Sequence, residues 1–156
     1  MELLYKPDWE QARQRYEAWW AHEYFGRPLL WVTAPKSDSP PGSYPEPPRR
    51  VEDRWLDLDY VRAVNDFCMP WTYYGADSFP MWHAGFPGWS SIACFMGCEV
   101  ELSESTGWIE PIIDKGELTD YDYRDYVVDP ENHWWKLAQD FLRSAAEESK
   151  GKSIPA

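Results

Sequence analysis

The order of predicted elements along the first half of the chain is the feature that most limits its fold. An amphipathic helix is predicted over residues 9–24, a strand over residues 29–32, a second helix over residues 58–69 and a second strand over residues 79–82. This alternation favours an α/β fold with parallel strands, because each crossover helix returns the chain to the same end of the sheet. The first strand is nearly all apolar, which predicts burial on both faces.

Each predicted strand is followed by polar or reactive residues. Thr33 and Lys36 end the first strand and His83 ends the second. In α/β folds ligands bind at the carboxyl ends of parallel strands, so we expect a site among these residues.

The two outer helices carry the clearest boundary signals. Asp8 is expected to cap the first helix and Gly26 to stop it. Asp129 is expected to cap the last helix, with Pro130 in its first position. The buried stripes are predicted to consist of Ala12, Tyr16, Trp19, Trp20 and Tyr24 in the first helix, and of Trp134, Leu137, Phe141, Leu142 and Ala145 in the last.

The residues between these helices are less regular. Residues 35–50 are rich in proline and form a predicted surface loop, since proline is excluded from helix interiors and central strands. Loops of this length inside a domain are usually lids, interfaces or disordered segments. Further on, a short helix is predicted over residues 89–96 and a strand over residues 99–102, and residues 107–113 could form another strand or an extended loop.

Composition excludes several classes of partner. The 156 residues indicate one domain, and a net charge of −12 argues against nucleic-acid binding. No apolar run approaches the length of a membrane span and no signal peptide is recognised, so neither a membrane partner nor export is expected. Three cysteines in such a chain indicate reduced thiols and a cytoplasmic location. No cofactor is predicted.

Several short motifs together resemble the N-terminal part of the uroporphyrinogen-decarboxylase-like family. Arg-Pro-Leu-Leu-Trp at residues 27–31 is similar to the family's opening strand, and Tyr-Gly-Ala-Asp at residues 74–77 to the start of its next strand. Met-Gly-Cys-Glu-Val at residues 96–100 resembles the end of the helix that follows. A divergent branch of decarboxylase-like proteins shares Arg-Pro-Leu, Ala-Pro-Lys, Glu-Asp-Arg-Trp, Tyr-Gly-Ala-Asp and Phe-Pro with this chain.

The resemblance implies the N-terminal half of a (β/α)₈ TIM barrel, which typically needs roughly 250 residues. A half-barrel would have an unpaired sheet edge that must be covered or paired. We therefore expect either a fragment of a longer protein or a homo-oligomer. The resemblance also implies a lyase of the decarboxylase type, or a relative of the cobalamin-linked methyltransferases, that is inactive as this piece alone.

The chain departs from the family at two functional positions. Where the decarboxylases carry arginines that hold substrate carboxylates, this chain has Ala34, Pro35 and Lys36. Where they carry the catalytic aspartate, it has His83 and Ala84. Uroporphyrinogen is therefore not the expected substrate, and the substrate stays open.

Two predicted site residues carry chemistry of their own. His83 could serve as acid, base or metal ligand near neutral pH, or be a structural histidine near a loop. Lys36 could pair with an anionic group of a ligand, with Thr33 beside it, or be a solvated loop lysine. Asp77 is expected to cap or turn the chain before the second strand.

Aromatic and thiol groups supply the other candidates. Cys94 and Cys98, four residues apart, could form a metal site with His83 or be core residues. The rings that could wall a pocket for a flat ligand, or plug the end of the barrel, are Trp82, Phe86, Trp89 and Trp108.

Two functions remain open from the sequence. The first is a decarboxylase-like protein that binds a small organic ligand at the strand ends through His83, Lys36 and the aromatic wall. The second is a non-catalytic binding or assembly module, in which exposed tryptophans and the proline loop contact a protein or a sugar.

Overall fold

The computed structural model describes residues 2–36, 42–83, 92–112, 122, 124 and 127–156. The chain forms two compact units. The first consists of Met1–Glu46, Arg62–His83 and Ala145–Ala156, and the second of Pro47–Val61 and Ala84–Ser144.

The described residues form short helices and short strands. The helices are α1 (Trp9–Trp20), α2 (Asp53–Leu56), α3 (Leu58–Trp71), α4 (Ile92–Phe95) and α5 (His133–Glu148). The strands are β1 (Trp31–Pro35), β2 (Thr72–Ala76), β3 (Met81–Trp82), β4 (Val100–Leu102), β5 (Gly107–Ile109) and β6 (Ile154–Pro155).

The predicted half of a TIM barrel is wrong. β1 pairs antiparallel with β2, so that Trp31 lies opposite Ala76 and Pro35 lies opposite Thr72. β4 and β5 form an antiparallel hairpin, and the parallel pair β3–β6 is two residues long. Each of these three sheets has two strands, so the described part of the chain contains no parallel strand array.

The physical reason lies in how α3 ends. The helix runs directly into β2, which returns beside β1 in the opposite direction. The β2 sequence Thr-Tyr-Tyr-Gly-Ala contains three good strand formers. The sequence pattern predicts a strand only at residues 79–82, so the pairing of residues 72–76 with β1 is not expected from it.

The first strand is also more exposed than predicted. All five residues of β1 are exposed, and the side chains of Leu30, Trp31 and Val32 are between 45% and 49% accessible. Burial on both faces was therefore a wrong expectation.

The end of the first helix differs from its prediction in the same way. α1 ends at Trp20 rather than at residue 24, and Trp19, Trp20 and Tyr24 are 51%, 74% and 84% exposed. Ala12 is buried as expected. Asp8 occupies the N-cap position without a capping hydrogen bond, because its carboxylate pairs with Lys6.

Phe79 packs against the core cluster of the first unit and contacts three aromatic rings. Its ring meets Trp9, Tyr16 and Trp31 edge-on, at centroid distances of 5.0, 5.5 and 4.9 Å. Such contacts contribute about 0.5–1.5 kcal/mol each beyond the area they bury. Leu3 packs in the same cluster.

Local signals predicted α3 and α5 well. α3 covers the predicted residues 58–69 and extends to Trp71, and the Asp57 carboxylate accepts hydrogen bonds from the N–H groups of Asp59 and Tyr60. α5 is also present, but its cap is Asn132 rather than Asp129. The Asn132 side chain accepts N–H bonds from Trp134 at 2.8 Å and from the next residue at 3.1 Å.

Other predicted elements are confirmed in part. Strand β4 and strand β5 lie within the predicted strands, and α4 lies within the predicted short helix. Leu142 of the predicted α5 stripe is exposed, whereas Phe141 and Ala145 are buried. In the proline-rich loop, residues 42–50 contain no helix or strand, and residues 37–41 lie outside the described residues.

The Asp77 carboxylate connects three segments of the first unit. It is fully buried, pairs with Arg15 of α1 and with Arg27, and accepts the N–H of Leu30 at 2.9 Å. Burial by itself raises the pKa of Asp77, but the hydrogen bonds from Arg27, Leu30 and Arg15 outweigh it and hold the pKa well below its usual range. Asp77 is thus ionised and structural.

We expect Asp77→Asn to lower the free energy of unfolding by about 3 kcal/mol at pH 7, because two arginines lose a buried partner. The pKa of Asp77 is lower in the folded state than its ordinary value of 3.8, so its ionised carboxylate stabilises the fold above pH 3.8. This contribution is lost as the pH falls below that value. The difference between wild type and variant in urea unfolding should therefore shrink from pH 5 towards pH 3. Asp140→Asn, at an exposed pair with Arg143, is the control and should change little. A pH-independent difference would contradict the prediction.

Candidate functional site

Of the predicted site residues, Lys36 lies in a concave part of the first unit. Its main-chain N–H donates to Trp71 O at 2.8 Å, which continues the β1–β2 pairing, and its Nζ donates to Pro70 O. Lys36 is exposed, and the described residues provide no further acceptor for its ammonium group.

The concave region around Lys36 is a cleft of about 330 Å³. We call it the Lys36 cleft. The N-terminal segment forms one wall, and β2 with Lys36 forms the other. The lining residues are Leu4, Tyr5, Lys6, Pro7, Asp8, Lys36, Thr72, Tyr73, Tyr74 and Ala76.

Lys6 is a buried cation at this cleft that sequence analysis missed. Its side chain is 2% exposed, and its Nζ donates to Tyr74 O at 3.0 Å, to Ala76 O at 2.8 Å and to the Asp8 carboxylate. An ammonium group has three hydrogens, so these three acceptors use all of them. Nothing in the local sequence distinguishes Lys6 from a solvated lysine, because two of its three acceptors come from β2, about seventy residues away.

Lys6 acts on the outer edge of β2. In an antiparallel pair, alternate residues direct their main-chain groups towards the partner strand and away from it. The bonds Asp77 N–H to Leu30 O and Lys36 N–H to Trp71 O show that the even-numbered residues of β1 face β2. Tyr74 and Ala76 therefore direct their carbonyls to the outer edge, where Lys6 satisfies both.

The walls of the Lys36 cleft combine aromatic rings with charge. Tyr73 is exposed and Tyr74 is half-buried. Burial raises the pKa of Tyr74, so its phenol is protonated at neutral pH. Thr33 lies opposite Tyr74 in the sheet register, on the same face, but is not a lining residue of the cleft.

His83 and Trp82 lie elsewhere in the first unit. The main chain of His83 is held by Asn65, whose side chain accepts its N–H at 3.0 Å and donates to its carbonyl at 2.8 Å, and the imidazole is exposed. Trp82 is fully buried on β3, and its indole N–H has no acceptor among the described residues. A catalytic role for His83 stays a prediction.

The other predicted residues belong to the second unit. Trp108 is exposed on β5, opposite Glu101 in the hairpin. Phe86 and Trp89 lie outside the described residues. Cys94 and Cys98 are both buried, and the described residues contain no group of three or more potential metal ligands.

A second surface lies at the end of α1, where the sequence pattern predicted a buried stripe. A shallow hollow of about 440 Å³ lies here. The rings of Trp19 and Trp20 meet at 77° with their centroids 4.8 Å apart, and His22 turns the chain with a φ of +58°. We call it the α1-end aromatic surface. Its residues are Trp19, Trp20, His22, Glu23 and Tyr24.

Comparison of the chain with protein-family models, with curated proteins and with solved structures found no match. None of the described helices is both long and apolar enough to cross a membrane.

We expect Lys6→Met to lower the free energy of unfolding by about 1–3 kcal/mol, because the carbonyls of Tyr74 and Ala76 lose their charged donor while the aliphatic volume is kept. Urea unfolding followed by circular dichroism measures the change. Lys136→Met is the matched control, since this lysine is exposed in a surface pair with Glu131, and it should shift stability by less than about 0.5 kcal/mol. Equal stabilities for the two variants would contradict the role of Lys6.

Proposed function

We propose that the first unit binds a small organic carboxylate in the Lys36 cleft. The observation that carries this proposal is an exposed ammonium group, Lys36, at the wall of a concave site that also presents tyrosine rings. A few polar groups converging on a largely preformed pocket are typical of ligand sites.

The size of the cleft limits the ligand. At about 330 Å³ it is near the lower end of the range of roughly 300–1,000 Å³ for ligand pockets. Tyr5, Tyr73 and Tyr74 offer flat, partly apolar walls. A single ring or a short chain that carries one carboxylate fits these dimensions.

The charges of the cleft favour one anionic group. The ammonium of Lys6 is already bonded to three protein acceptors, one of which is the Asp8 carboxylate. Lys36 has two ammonium hydrogens beyond its bond to Pro70 O, so Lys36 is the group that can pair with a ligand. The net charge of −12 opposes anion binding, and we expect affinities on the order of 1 mM.

The proposal retains only part of the function implied by the family resemblance. A small organic ligand and the role of Lys36 carry over, whereas the decarboxylase or methyltransferase reaction depended on a barrel that the described strands do not form. Roles for Thr33 and His83 stay predictions. The cysteines Cys68 and Cys98 are free thiols, which supports the cytoplasmic location that we also propose.

We expect benzoate to bind the wild-type chain and Lys36→Gln to weaken it about fivefold, which corresponds to roughly 1 kcal/mol for an exposed ion pair. Titration by NMR gives the dissociation constant. Benzyl alcohol, which lacks the charge, should bind equally weakly to both chains. Lys150→Gln removes a surface lysine paired with Glu147 outside the cleft and controls for net charge.

Equal losses of benzoate affinity in Lys36→Gln and Lys150→Gln would mean that benzoate binding depends only on the overall charge of the chain. Absence of benzoate binding to the wild type at tens of millimolar would reject the carboxylate site. Salt screens ion pairs and gives a further check. The difference in benzoate affinity between the wild type and Lys36→Gln should decrease as ionic strength rises.

A second candidate function is favoured by the exposed tryptophans. Large apolar rings clustered on a surface usually mark a binding site. In the α1-end aromatic surface, the imidazole of His22 and the carboxylate of Glu23 lie beside the rings and can bond to hydroxyl groups. We propose a neutral oligosaccharide as its ligand, since sugar rings combine an apolar face with a hydroxyl edge and carry no charge for the acidic chain to repel.

For this candidate we expect Trp20→Ala to weaken binding of a neutral hexasaccharide at least about tenfold, or roughly 1.4 kcal/mol. Cellohexaose, chitohexaose and maltohexaose are the probes, and isothermal titration calorimetry is the measurement. Trp20 is 74% exposed, so its removal should leave stability almost unchanged. Trp108→Ala removes another exposed ring, 65% accessible, from the second unit and should have no effect on affinity. No binding by any of the three sugars would reject the candidate.

A further inference from the structure

The two outer edges of the β1–β2 sheet differ in the hydrogen bonding of their main-chain groups. On the β2 edge the buried ammonium of Lys6 satisfies the carbonyls of Tyr74 and Ala76. On the β1 edge, Trp31, Thr33 and Pro35 direct their main-chain groups outward, as the register requires. No described residue bonds to these groups.

The β1 edge also lacks the protection that natural edge strands usually have. Edge strands are commonly guarded by charges, prolines, bulges or a covering segment. Here the proline and the nearest charge, Pro35 and Lys36, are confined to one end, and the middle of the strand is Trp-Val-Thr-Ala. All five residues are exposed. An accessible, uncharged edge of this kind is a template for another strand.

We propose that β1 pairs antiparallel with β1 of a second copy of this chain, about a two-fold axis at Thr33. This pairing joins the two sheets into one four-stranded sheet. The N–H and C=O of each Thr33 bond to those of Thr33 in the second copy, and each Trp31 N–H bonds to Pro35 O of the second copy. Because proline has no N–H, four hydrogen bonds form across the axis.

The side chains of the strand are complementary to themselves in this register. Val32 lies against Ala34 of the second copy on one face, which puts a branched side chain beside a small one. Trp31 lies against Pro35 of the second copy on the other face, and Trp31 is 49% exposed in the single chain. Fixed pairs of this kind favour one register.

Charge explains why a second copy is a tolerable partner for an acidic chain. Two chains of net charge −12 repel one another. Residues 28–35 nevertheless contain no charged side chain, although 27% of the whole chain is charged. The two copies of Lys36 fall at opposite ends of the paired strands. Each lies opposite Leu30 of the second copy, six strand positions from that copy's Lys36, so roughly 20 Å separates them.

A cysteine at the axis tests this geometry. In a Cys68→Ser background, which removes the one native thiol that is not buried, we expect Thr33→Cys to give a disulfide-linked dimer on mild oxidation. Directly opposed residues of a hydrogen-bonded pair are about 5.5 Å apart between Cα atoms, which suits a disulfide. Ala34→Cys is the matched control, because the two copies of residue 34 are displaced by two positions and should cross-link poorly.

Solution mass supplies the second measurement. Light scattering of the wild-type chain should show a concentration-dependent dimer, and Thr33→Pro should make it monomeric. This substitution removes an N–H that β2 does not use, so circular dichroism should show a folded chain. A monomer at all concentrations together with no Thr33→Cys cross-link would overturn the proposal. Equal cross-linking at positions 33 and 34 would overturn the register and with it the proposed interface.

Discussion

The arrangement of the first unit depends on one buried carboxylate. Asp77 follows β2 directly and holds α1 through Arg15, the turn after α1 through Arg27, and the start of β1 through the N–H of Leu30. A buried charge is tolerated only when it is paired and hydrogen-bonded, so these segments must meet at Asp77 for the fold to form. Ala76, with a φ of +50°, turns the chain so that the carboxylate follows immediately after the last strand residue.

The same end of β2 shapes the cleft in which we propose that a ligand binds. Lys6 must lie along the outer edge of β2 to reach the carbonyls of Tyr74 and Ala76, and this draws the N-terminal segment alongside the strand. The Lys36 cleft is the space between the two. Lys6 is therefore a structural cation that shapes the cleft, and Lys36, which is exposed, is the cation that we propose pairs with a ligand.

The parts of this fold that could be predicted are those with local signals. α3, α5 and the β4–β5 hairpin follow from periodicity and caps within a few residues. The antiparallel pairing of β1 with β2 could not be predicted, because no local sequence pattern indicates the direction in which the second strand returns beside the first. Trp19 and Trp20 have the spacing of a buried stripe, but α1 ends at Trp20 and His22 turns the chain away. Among the proposed site residues, Lys36 alone was predicted and lies in the cleft, since polar residues after a strand are a usable signal. The burial of Lys6 and Asp77 depends on partners distant in sequence.

The proposed ligand site and the proposed dimer meet at Lys36. Pairing about Thr33 places Lys36 opposite Leu30 of the second copy, one residue beyond the last hydrogen-bonded pair. The main chain of Lys36 is already fixed by its bond to Trp71 O, while its side chain lines the cleft. In these proposals, a ligand that orders the Lys36 side chain acts at the margin of the dimer contact. The entropy lost in ordering this side chain is then shared between ligand binding and dimer formation. By linkage, any change that dimer formation makes in ligand affinity must equal the change that the ligand makes in dimer affinity. An acidic chain with an uncharged edge strand and one accessible lysine beside it can thus couple self-association to anion binding without a separate regulatory element.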